Sequence, residues 1–177
     1  SAGVVHFDMS VSPNWTVPDG MVLTVAGQDV ETYTTIQAAI TAADADNASR
    51  SILINAGTYS EAVTIPATLA HELWIVGEAR DKVTIGVTPG PSLTVATTTR
   101  IHMRNLTLTG SSATFAGLST TAQTELLFDN VWFGGMMMTT SGGLANSYFT
   151  GCRFDTAWDV TAGTVTGVVF DRCYFKF

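Results

Sequence analysis

The sequence predicts an all-β fold, a right-handed parallel β-helix with one N-terminal capping α-helix, and three observations predict it. From residue 101 one template recurs at offsets of 25, 21 and 21 residues. Each copy is two alternating apolar stretches joined by a bend, and only one segment of the chain has helical periodicity. Alternation turns one side of a strand inward, and a fixed repeat buries that side against the next copy. A sandwich or jelly roll also suits short strands with turn signals. Its strands, however, do not repeat one template at constant offset.

Composition bounds the answer. The 177 residues are 46% hydrophobic and only 13% charged, half the usual share of charge. Their length suits one domain. Disordered tails, coiled coils and charged bundles are excluded, and no apolar run approaches the ~20 residues of a membrane span. A net charge of −7 with scattered basic residues argues against nucleic acid, because phosphate binding needs clustered Lys and Arg. The opening residues do not read as a signal peptide, and none is expected.

Residues 1–21 carry Pro13 and Pro18 without a sustained period and read as an N-terminal arm; residues 22–177 form the β-helix domain. A strand-like MVLTVAG precedes the helix. There Thr34-Thr35-Ile36-Gln37 fits a capping box, the Thr34 hydroxyl reaching forward and Gln37 reaching back. Ile36, Ala39, Ile40 and Ala43 follow on one apolar stripe, and Asp44–Ser49 ends it. Short apolar runs then alternate with turn residues: SILIN, EAVTI, ELWIV, KVTIG and SLTVA. The repeat proper opens at Ile101-x-Met103-x-x-Leu106-x-Leu108. Later copies begin at Leu126, Ser147 and Val168. The bends are Arg104-Asn105, Asp129-Asn130, Thr150-Gly151 and Asp171-Arg172.

From residue 22 the chain resembles the pectin methylesterases, a family within the pectin-lyase-like β-helices. The resemblance is carried by VLTVAGQDVETYTTIQAAITAADADN, ILINAGTYSEAVTI, LWIVGEARDKVTI and IHMRNLTLTG. The family implies an aspartate nucleophile, an aspartate acid/base, glutamines at the oxyanion and an orienting arginine. Here Thr114 stands in the first glutamine's place, and Gly134-Gly135-Met136-Met137-Met138 occupies the loop of the second glutamine and the acid. Asp159 alone fits a catalytic position, that of the nucleophile, and the arginine of the last motif does not appear before Phe177. A lone carboxylate without acid partner, oxyanion donors or cation does not run acyl transfer. Asp159 therefore reads as a turn residue near Asp155, and no enzyme activity is expected.

Other chemistry is sparse. His6, His71 and His102 have no ligand-spaced neighbours, and neither a nucleophile elbow nor a phosphate loop is present. No metal and no cofactor are expected. Asn14, Asn47 and Asn105 begin N-x-[ST] triplets, which matter only in a secreted eukaryotic protein. Cys152 and Cys173 share a repeat position and should stack on adjacent rungs, about 4.8 Å apart. A disulfide is geometrically allowed there, but two reduced cysteines acting as small core hydrophobes are the favoured reading.

The sharpest feature lies outside the core. Thr107, Trp132, Arg153 and Tyr174 fall between inward positions of successive copies, so stacking should align them in one external column. Aromatics flanking an arginine suit a protein interface or a sugar-stacking platform, and a neighbouring loop could also cover them. Met136 and Met137 should adjoin this column as an adaptable contact. At the C-terminal end Phe170, Tyr174, Phe175 and Phe177 form a rung with no helix after it, an edge expected to recruit other strands. These features, with the lost catalytic residues, lead to an expectation of a virion structural protein: a trimeric bacteriophage capsid-decoration or tail-associated protein contacting the major capsid protein. The trimer follows by fold analogy. The alternative is a carbohydrate-binding module or remnant pectinesterase, secreted rather than in the virion.

Overall fold

The computed structural model describes residues 22–26, 29–45, 49–95, 100–115, 126–134, 137–140, 144–155, 158–159 and 165–176. The N-terminal arm, Met136 and Phe177 lie outside the described residues. The chain begins with β1 (Val22–Ala26), β2 (Asp29–Tyr33) and α1 (Ile36–Ala45). The first rung is β3 (Arg50–Ile54), β4 (Gly57–Tyr59) and β5 (Val63–Ile65), and the second is β6 (Leu73–Gly77) with β7 (Val83–Val95). Then come β8 (Ile101–Phe115), and β9 (Leu126–Gly134) with β10 (Met137–Thr140). The next rung holds β11 (Leu144–Ala145), β12 (Tyr148–Thr150), β13 (Arg153–Phe154) and β14 (Trp158–Asp159). The last described is β15 (Val165–Thr166), β16 (Val169–Asp171) and β17 (Tyr174–Phe175).

Among the described residues, every pairing between β3 and the strands after it is parallel, rung on rung, as a parallel β-helix requires. One face runs β3–β6–β8–β9–β12–β16. The start departs from that pattern: β1 pairs antiparallel with both β2 and β3.

The helix buries Ile36, Ala39, Ile40 and Ala43, the stripe its spacing predicts. Its cap is not the predicted one. Thr35, not Thr34, accepts from Ala38 N–H at 3.1 Å, and the Glu61 carboxylate accepts from the N–H groups of Ile36 and Gln37 at 2.9 and 3.1 Å. An anion from the first rung thus meets the positive end of the helix. Gln37, free of capping, exchanges two hydrogen bonds with the Thr64 backbone and ties α1 to β5.

The bends take the left-handed conformation at Asn105, Asn130, Gly151 and Arg172 (φ 55°, 54°, 60° and 52°). Glycine and asparagine tolerate it best, which explains three of the four residues. The side-chain amide of Asn130 also donates to that of Asn105 at 2.9 Å, linking two rungs. At Gly77 a Cβ would lie 2.3 Å from the Asn105 carbonyl oxygen, so only glycine lets the rungs approach there.

Inside the coil, two phenylalanine ladders climb its C-terminal half. Phe128, Phe149 and Phe170 stack at 5.0 Å steps, and Phe133, Phe154 and Phe175 at 4.8 Å steps. The two ladders meet edge to face, the arrangement that ring quadrupoles favour. Cys152 and Cys173 are free thiols. Each donates to a carbonyl of the preceding rung, Phe128 at 3.5 Å and Phe149 at 3.1 Å.

Candidate interaction surface

The external column exists as a register fact. Thr107 pairs with Trp132, Trp132 with Arg153, and Arg153 with Tyr174. The Arg153 guanidinium carbon lies 4.6 Å from the centre of the Trp132 ring and 5.8 Å from that of Tyr174. An arginine cation is thereby layered between two aromatic rings, a contact of about 0.5–1 kcal/mol per ring at an exposed site.

Asp155 completes the group, one turn of alternation beyond Arg153. Its carboxylate accepts from Arg153 Nε at 2.7 Å and Nη2 at 3.1 Å, and from the Trp132 indole N–H at 2.9 Å. The Arg153 hydrogen bonds, aided by the Trp132 N–H, hold the Asp155 carboxyl below the usual carboxylate range. The sequence marks Asp155 only as a neighbour of Asp159. Its real partners sit on its own rung and the one before, which local spacing does not reveal.

The column is not uniformly open. Thr107 is buried, its hydroxyl donating to the Arg80 carbonyl at 2.6 Å, so the loop after β6 closes that end. Tyr174 is 59% exposed at the other end. A neighbouring loop thus covers the first position and leaves the last three accessible to different degrees.

The remaining predicted residues separate. Met137 starts β10 in register with Ser112, on the strand stack that follows the column around the coil. Asp159 pairs with Thr139, and Thr139 with Thr114. The backbone therefore aligns Asp159 with two threonines on the preceding rungs. Phe170 is 39% exposed while its ring stacks on Phe149, and Phe175 is partly covered over Phe154. Among the described residues, five of the six exposed large hydrophobics (Tyr148, Val165, Val169, Phe170 and Tyr174) lie on β12 and later strands.

One surface escaped the sequence reading. Trp74 stacks on His102 with ring centres 3.6 Å apart and planes 6° from parallel, and Glu72 pairs with the His102 ring. Both rings point outward on the β3–β16 face, where Leu127, Tyr148 and Val169 continue the column. The alternation in β6 and β8 is a sufficient signal for it. The longer spacing before residue 101 hid the alignment of Trp74 with the repeat.

Among the described residues no group of three His, Cys, Asp or Glu side chains is placed to hold a metal, and no helix is long and apolar enough to cross a membrane. Compared with known proteins, the chain has no significant match to a family model, a curated protein or a solved structure.

Proposed function

We propose that this chain is a non-catalytic structural β-helix that works through protein contacts in a larger assembly, of the kind from which bacteriophage particles are built. The observation that supports this reading over carbohydrate binding is the closure of the Trp132–Arg153–Asp155 group. Sugar recognition combines an open aromatic face with polar groups free to grip hydroxyls. Here the indole N–H and two guanidinium nitrogens are already occupied by Asp155, and the Trp132 face is covered by Arg153. What the column offers outward is a stiff, preorganised edge ending in Tyr174, and rigid aromatic and arginine side chains suit protein interfaces.

The same reading expects no esterase chemistry. Asp159 has Thr139 and Thr114 beside it in the register, where acyl transfer needs an acid and oxyanion donors. The test is methanol release from methyl-esterified pectin by the 177-residue chain. The proposal expects release at the rate of buffer alone. Release above that rate, abolished by Asp159→Asn, would overturn it.

A further inference from the structure

The outer face of the β3–β6–β8–β9–β12–β16 sheet carries two adjacent columns of side chains. Ser51, Trp74, His102, Leu127, Tyr148 and Val169 form one, and Leu53, Val76, Arg104, Asp129, Thr150 and Asp171 run beside it. Trp74 is 39% exposed, and Tyr148 and Val169 are each 45% exposed. A solenoid position that faces water has no need of a large apolar side chain, so this row calls for a cover.

We infer that the cover is a second copy of this chain, packed sheet on sheet about a two-fold axis that runs along the strand direction between β8 and β9. Such an axis reverses the order of the rungs and keeps each column opposite itself. Trp74 then meets Tyr148 of the second copy, His102 meets Leu127, Val76 meets Thr150, and Arg104 meets Asp129, each contact made twice.

The charges favour this register over an axis on either of the two flanking strands. With the axis on β9, Asp129 faces Asp129; with the axis on β8, Arg104 faces Arg104. Both placements set like charges against each other across a closing interface. Halfway between them, both repulsions become attractions, and the two largest exposed rings of the face cover one another. Arg104 and Asp129 lie 3.0 Å apart within one copy and remain about half exposed, so both are available to a four-membered ion cluster across the axis.

The face is small. Strand spacing and rise give roughly 400 Å² per copy, about half of a standard interface, so the dimer is weak and depends on concentration. The inference deepens the assembly reading by naming the chain itself as one partner, in a two-fold pair instead of the trimer expected by fold analogy.

Sedimentation velocity from micromolar to millimolar concentration tests it. A monomer should convert to a dimer, and Tyr148→Lys should raise the dissociation constant at least ~10-fold, about 1.4 kcal/mol, with an unchanged circular dichroism spectrum. Arg104→Asp should do the same, and combining it with Asp129→Arg should restore the dimer. A chain that stays monomeric at millimolar concentration, forms a trimer, or dimerises equally well as Tyr148→Lys overturns the inference. Those outcomes leave the assembly reading standing with another partner, whereas pectin hydrolysis would remove that reading and not this one.

Discussion

The Arg153 guanidinium lies 4.6 Å from the centre of the Trp132 ring on the rung before it, and Asp155 bonds both side chains. Two rungs are thus joined outside the core by an ion pair and an indole hydrogen bond that share one carboxylate.

That carboxylate sets a pH dependence. The Asp155 carboxyl is held low, chiefly by its hydrogen bonds from Arg153, so its contribution to stability is present above the usual carboxylate pKa. It is lost as the pH falls through the depressed value. The indole N–H resonance of Trp132, followed by NMR during acid titration, should keep its position through the ordinary aspartate range and move only below it. Asp155→Asn should remove that late transition.

At Asn130 the backbone has φ 54° and the side chain donates to Asn105. Asn130→Ala should cost about 1–2 kcal/mol from the left-handed strain, with a further loss of about 1 kcal/mol from the hydrogen bond. Asn130→Gly keeps the conformation and loses only the bond. Urea melts of the two variants should therefore differ, with the alanine variant the less stable.

Phe149 is fully buried and stacks on Phe128 below and Phe170 above. Phe149→Ala opens a cavity in the middle of a ladder and should cost about 3–5 kcal/mol. Phe149→Leu should recover much of that loss in thermal melts, because the core needs volume there as well as ring stacking.

Burial pushes the Cys152 thiol up to about 12, while Cys173, also raised by burial, is partly accessible. At mildly alkaline pH a disulfide reagent should label Cys173 well before Cys152. A raised thiol pKa favours the native state below the ordinary thiol value of 9.0, and that advantage is lost as the pH rises toward 12. Cys152→Val, which copies Val131 at the same repeat position, should remove this alkaline loss.

The coil was legible in the sequence because its signal is repetitive. The Ile101, Leu126 and Ser147 copies have their first inward residue buried, and the spacing aligned Thr107, Trp132, Arg153 and Tyr174 correctly. What failed was non-local. Glu61 caps a helix that begins 25 residues earlier, and the Arg80 carbonyl buries Thr107 from 27 residues away. No window along the chain contains either pairing. Asp155 was visible as a charge but not as the acceptor shared by two rungs. Trp74 was missed because the template was anchored only from residue 101, so the rungs before it were not aligned to it.

Affinity electrophoresis in gels cast with acidic and neutral polysaccharides tests most directly whether this surface serves protein contact rather than carbohydrate. The account predicts that the chain and its Tyr174→Ala variant migrate as they do in gels without polysaccharide. Retardation by one polysaccharide, lost in Tyr174→Ala and Trp132→Ala, would contradict it.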